Sequence, residues 1–114
     1  MNIIIIKEPI SSSVLKEIAK KQFGDFVKAV VDIEKEVMAI GGSLHADEEA
    51  MLLERGSKQE NLWGINIYPE KKQEEWIEFD SMINIRPSQN NRSRSVEDEN
   101  IRNRIIKIVN TLIQ

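Results

Sequence analysis

The sequence predicts an α+β fold, a mostly antiparallel sheet packed against helices in the order β-α-β-β-α-β-β-α. Three observations lead there. Four consecutive isoleucines open the chain, two apolar runs before Gly41 are separated by a tight turn, and the last segment repeats apolar residues at helical spacing. Strands joined as hairpins, with helices between and after them, favour antiparallel pairing. With 114 residues, 40% of them hydrophobic and 31% charged, the expectation is a single globular domain spanning 1–114.

Asn2 to Lys7 contains Ile3-Ile4-Ile5-Ile6. A short β-branched run, apolar on both faces, predicts a strand covered on both sides and therefore central in the sheet. Glu8-Pro9 breaks it. Ser11 is a helix N-cap, with Ile10 and Leu15 as its hydrophobic staple, and Leu15, Ile18 and Ala19 follow at helical spacing before Gly24 closes the helix. Phe26 to Ile40 reads as a hairpin with its turn near Glu34-Lys35, and Gly41-Gly42 ends it.

Ser43 to Gly56 is acidic at its front and ends in glycine, the pattern of a short helix. Asn61 to Tyr68 is a strand with Trp63, Ile65 and Ile67 on one face, and Pro69 to Glu75 is a charged loop. Trp76 to Arg86 alternates: Ile77, Phe79, Ile83 and Ile85 against Glu78, Asp80, Asn84 and Arg86, with Ser81 marking a bulge. The last helix is expected to start at Ser95, with Asp98 in capping-box position and Ile101, Ile105, Ile108, Val109 and Leu112 as its buried stripe.

The chain has no cysteine, which excludes disulfides and thiolate metal sites. No apolar run approaches the ~20 residues that span a bilayer, and Asn2 to Lys7 is too short for a signal-peptide core, so a cytoplasmic protein without membrane contact is expected. A net charge of −3 argues against a general nucleic-acid binder. Charge is nevertheless divided. Residues 1–85 hold 10 Lys+Arg against 16 Asp+Glu, whereas residues 86–114 hold 6 against 3. Five of the six arginines lie between Arg86 and Arg104.

Two long strings, Gly41-Gly42-Ser43-Leu44-His45-Ala46-Asp47 through Leu62-Trp63-Gly64-Ile65-Asn66-Ile67-Tyr68-Pro69, and Asp80-Ser81-Met82-Ile83-Asn84-Ile85-Arg86-Pro87 through Asn91-Arg92-Ser93-Arg94, carry a resemblance. With the neighbourhoods of Gln22-Phe23-Gly24 and Val30-Val31-Asp32, the chain resembles a small family of uncharacterised prokaryotic proteins, a domain of unknown function. That resemblance implies no activity, ligand, cofactor or catalytic residue.

Function must therefore be read from the residues. Arg86, Arg92 and Arg94, with Ser93 and Ser95, precede a helix N-terminus, where guanidinium forks and unpaired backbone N–H groups suit phosphate or carboxylate. Asn90-Asn91 can fold that loop back through a left-handed turn. Asn66, Asp80 and Asn84 are placed as specificity groups of a polar cluster beside it. The leading expectation is thus a binding protein for a phosphate-bearing or otherwise anionic ligand. One alternative is a metal- or His-dependent hydrolase or nuclease, using His45 with neighbouring carboxylates; Gly-x-Ser-x-Gly, Walker and Rossmann patterns are all missing. Another is a protein-interaction module or a homodimer pairing through an exposed strand edge. Trp63 is expected in the core and Trp76, among glutamates, at a protein-partner surface.

Overall fold

A computed structural model describes residues 2–114 and shows a five-stranded, wholly antiparallel sheet with three α-helices. The strands are β1 (Ile4–Ile6), β2 (Val27–Asp32), β3 (Val37–Ile40), β4 (Leu62–Ile67) and β5 (Ile77–Glu78), in the spatial order β1-β3-β2-β4-β5. The helices are α1 (Ser12–Lys21), α2 (His45–Glu54) and α3 (Glu99–Leu112). The fold class and element order read from the sequence are those observed, and among the described residues no helix is long and apolar enough to cross a membrane.

Local signals explain most of these boundaries. Ser11 caps α1, its hydroxyl accepting from the Val14 N–H at 3.3 Å, and Gly24, at φ +96°, closes it by donating to the Ala19 carbonyl. Asp32 shapes the hairpin turn: its carboxylate accepts from the Glu34 and Lys35 N–H groups and from the Ser57 hydroxyl. Glu36 completes that turn at φ +58°.

Both faces of the sheet are covered. On one, α1 and α3 pack Leu15, Ile105, Val109 and Leu112 against Ile6, Val31, Met38, Trp63 and Ile65. On the other, Leu52 of α2 meets Val30, Ala39 and Leu62. This double cover accounts for the isoleucine run, which is apolar on both faces. Its position, however, is not central: β1 is an edge strand paired only with β3, and Ile4 remains 47% exposed. Apolar composition reported burial of the faces and not the number of hydrogen-bonded neighbours; β2, between β3 and β4, is the middle strand.

Three further expectations are corrected. The alternating run from Trp76 pairs only over Ile77–Glu78, opposite Ile67 and Asn66, and then leaves the sheet for a 3-10 turn at Met82–Asn84 that Ser81 caps; Ser81 is no bulge. The last helix starts at Glu99, not Ser95, because Asp98 accepts from the Asn100 and Ile101 N–H groups as its own N-cap. Trp76 is buried in the α1/α3 core rather than offered to a partner.

Candidate functional site

The segment from Asp80 to Asp98 is held by side chains that replace backbone partners. Where β5 stops, Asn84 takes its place beside β4: its Oδ1 accepts from the Gly64 N–H at 2.8 Å, and its Nδ2 donates to the Gly64 carbonyl at 2.9 Å and to the Arg94 carbonyl at 2.9 Å. A Cβ on Gly64 would lie 2.6 Å from Ser81, so the approach requires glycine. Asn91 braces the loop from within, donating to the carbonyls of Asn84 and Ser95 at 2.7 Å and accepting from the Glu97 N–H at 2.8 Å. Asn90, at φ +60°, makes the expected left-handed turn.

Arg86 is also a brace. Buried at 8% exposure, its guanidinium lies 4.5 Å from the Trp63 ring centroid and donates to the carbonyls of Ile83, Gln59 and Leu62 and to the Gln89 side chain. Four of its five N–H groups are so engaged. Burial pushes its pKa down, while Glu49 opposes that. The structure therefore does not bring Arg86, or the fully buried Asn84, to an open surface with Arg92 and Arg94.

The exposed part of the loop is different. The backbone N–H groups of Arg92 and Ser93 converge on one oxygen of Glu97, at 3.0 and 2.8 Å. Hydrogen bonds from Ser93 hold the Glu97 carboxyl below its usual pKa. Arg94 pairs its Nε with Asp80 at 2.6 Å, a contact that raises the arginine pKa further. The Ser95 hydroxyl accepts from Arg102 at 2.7 Å. The Arg92 and Ser93 N–H groups, in the loop ahead of the helix rather than at its N-terminus, thus hold a carboxylate of the chain itself.

A second polar group adjoins Asp80. Asn66, buried on β4, donates to Glu78 at 2.8 Å and to the Asp80 carbonyl at 3.5 Å, while its Oδ1 is buried without a hydrogen-bond partner. Glu78 also accepts from the Tyr68 hydroxyl at 3.2 Å. The sequence pairing of Asn66 with Asp80 is met through Asp80's backbone, across a β4–β5 register that sets Asn66 opposite Glu78.

His45, the first residue of α2, is brought to the same region. Its Nε2 lies 2.8 Å from the Ile65 carbonyl, so that nitrogen carries the proton. Burial lowers its pKa from 6.5, with Lys28 adding to this and Asp80 and Asn66 opposing it. One helical turn on, Glu48 is fully buried: one oxygen accepts from the Gly42 N–H at 2.9 Å, the other has no partner, and burial pushes its pKa up to about 9. Perturbed groups of this kind gather at functional sites more often than elsewhere. Among the described residues no three His, Asp or Glu side chains form a group that could hold a metal ion.

Sequence reasoning missed Lys28, the bracing hydrogen bonds of Asn91 and the burial of Glu48, whereas the acidic run Glu97-Asp98-Glu99 is legible as a competitor for the loop's positive potential. Lys28 leaves one signal, a charge inside the otherwise apolar run from Val27 to Val31; the rest depend on long-range packing.

Fold and site together define a small α+β protein whose polar features lie at the β4–β5 end of the sheet. The chain belongs to the family described as "Protein of unknown function (DUF5674)", whose model matches residues 4–112. Comparison with curated proteins and with solved structures finds no match.

Proposed function

We propose that the protein is a small cytoplasmic binding protein for a phosphate-bearing or other anionic ligand, taken at the Arg92–Arg94 loop. One observation carries the reading: the consecutive N–H groups of Arg92 and Ser93 converge on a single carboxylate oxygen of Glu97. Two backbone donors aimed at one anionic oxygen are a nest, and nests accept phosphate or carboxylate oxygens generally. Glu97 stands in for the ligand's oxygen and would be displaced by it. Arg92 and Arg94 flank the nest with guanidinium charge, and Ser93 lies between them. Asn66 and Asp80 border the site as specificity groups. Arg86 and Asn84 support it indirectly, by keeping the loop rigid before a ligand arrives.

The test is titration of the protein with inorganic phosphate, followed by amide NMR. The Arg92 and Ser93 signals should shift saturably, and an Arg92→Ala/Arg94→Ala variant should weaken binding at least ~10-fold, about 1.4 kcal/mol. Loop amides unmoved by millimolar phosphate, or unaffected by the double substitution, would overturn the reading.

A hydrolase reading rests on a separate observation: His45, the one histidine, is held with a lowered pKa by burial, near Asp80 and Asn66. Turnover of a phosphodiester that His45→Ala abolishes would support it; equal turnover by that variant would remove it.

A further inference from the structure

A second feature lies away from this loop, where β1 and the β2–β3 turn come together. Two adjoining cavities of about 290 and 190 Å³ share Lys7, Lys35 and Val37 in their walls. Lys107 on α3 lines the larger and Arg55, at the end of α2, the smaller. Three cations, Lys7, Lys35 and Arg55, therefore line the smaller cavity, with no carboxylate among its lining residues. That reverses the charge balance of a chain with net charge −3.

The cations are not neutralised locally. Ion pairs among the described residues join Lys16 to Glu70, Arg94 to Asp80 and Arg104 to Glu34, leaving Lys7, Lys35, Arg55 and Lys107 without a carboxylate within 4.0 Å. Like charges gathered at one mouth repel, and an anion between them relieves that repulsion. Asp32, at the start of the same turn, is buried and already accepts from Glu34, Lys35 and Ser57.

The cleft is also shaped. Lys35 Nζ donates to the Arg55 carbonyl at 3.2 Å, and a Cβ on Gly56, itself at φ +95°, would stand 3.4 Å from that nitrogen. Glu36 holds a left-handed conformation that costs a non-glycine residue energy, and so fixes where Lys35 leaves the turn. Beneath the charges the smaller cavity has apolar walls, Ile5, Val37 and Leu52. Cationic rim over apolar floor is the complement of an anionic head on an apolar stem.

We propose that this cleft binds an organic phosphate monoester, its phosphate among Lys7, Lys35 and Arg55 and its carbon stem against Val37 and Leu52. The site is independent of the Arg92–Arg94 loop. The test is an amide NMR titration with butyl phosphate, beside inorganic phosphate and butanol. Butyl phosphate should shift the Lys35, Gly56 and Ser57 amides saturably and bind several-fold tighter than inorganic phosphate. Exposed Lys35 and Arg55 can be changed without touching the core, so Lys35→Ala/Arg55→Ala should stay folded and lose at least ten-fold in affinity. Arg92→Ala/Arg94→Ala should leave these shifts unchanged. Shifts confined to the Arg92–Ser93 amides would overturn this proposal while sparing the loop reading. Absence of saturable shifts, or equal effects from butanol, would also overturn it.

Discussion

The side-chain amide of Asn84 bonds both backbone groups of Gly64, receiving its N–H at 2.8 Å and giving an N–H to its carbonyl at 2.9 Å. One side chain thus does the work of a strand residue at the point where β5 has ended. Removing it in Asn84→Ala leaves the Gly64 N–H and the carbonyls of Gly64 and Arg94 to find other partners in a site with no exposure. Each unsatisfied buried group costs about 1–3 kcal/mol. The expected loss is about 3 kcal/mol, read as a lower urea midpoint with unchanged slope. A loss below about 0.5 kcal/mol would mean the loop is not held this way.

Arg86 makes a comparable claim further along the same edge of β4. Its planar fork reaches three carbonyls on two segments, Gln59 and Leu62 at the start of β4 and Ile83 in the turn after β5, while stacking on Trp63. A lysine has a point charge and cannot span them together. Arg86→Lys should therefore lose about 2 kcal/mol despite keeping the charge, whereas Arg92→Lys, on an exposed residue, should lie within about 0.5 kcal/mol of the parent. Equal stability of the two variants, by thermal or chemical melting, would count against the structural role of Arg86.

These two residues also show how much was legible beforehand. The elements with local signatures were readable: Ser11 and Gly24 bound α1 through contacts within a few residues, and the Trp63-Ile65-Ile67 face follows from period two alone. Strand order was not, because Ile3 to Ile6 look alike whether β1 lies at the edge or the centre, provided α-helices cover both faces. The run from Trp76 to Arg86 misled for a related reason. Its alternating polar residues, Asn84 and Arg86, face inward as substitutes for backbone partners, and no spacing rule distinguishes that from a solvent-facing strand. The arginine loop was found from charge density, but the occupation of its nest by Glu97 required knowing the fold.

Glu48 and His45 give the protein a pH signature. Burial holds the Glu48 carboxyl at about 9, against 4.5 when unfolded. Between those values the folded state keeps a proton that the unfolded chain has released, so this group lowers stability as pH rises, by at most ~1.4 kcal/mol per unit. His45 acts on the other side: its pKa is lowered from 6.5, so at acid pH the unfolded chain takes up a proton that the folded state resists, and stability falls as pH drops. Glu48→Gln keeps the shape of the neutral acid without its titration. It should be more stable than the parent at pH 8, by about 1–4 kcal/mol, and indistinguishable from it near pH 4. Parallel stability profiles for the two proteins across that range would show that Glu48 is ionised in the fold.

Glu97 links stability to the proposed binding. Its carboxyl is held below the usual range by Ser93, so its contribution is complete above the unfolded carboxylate pKa and is lost as pH falls through the lower folded value. Glu97→Ala should make the loop less ordered and slightly reduce stability at neutral pH, with the difference vanishing in acid. The same change vacates the nest formed by Arg92 and Ser93, so phosphate should bind there several-fold more tightly than to the parent, because it no longer competes with a tethered carboxylate. Those two effects have opposite signs, and a purely structural Glu97 would produce only the first. Weaker phosphate binding in Glu97→Ala, at a loop whose amide spectrum shows it still folded, would mean that the nest serves the fold alone.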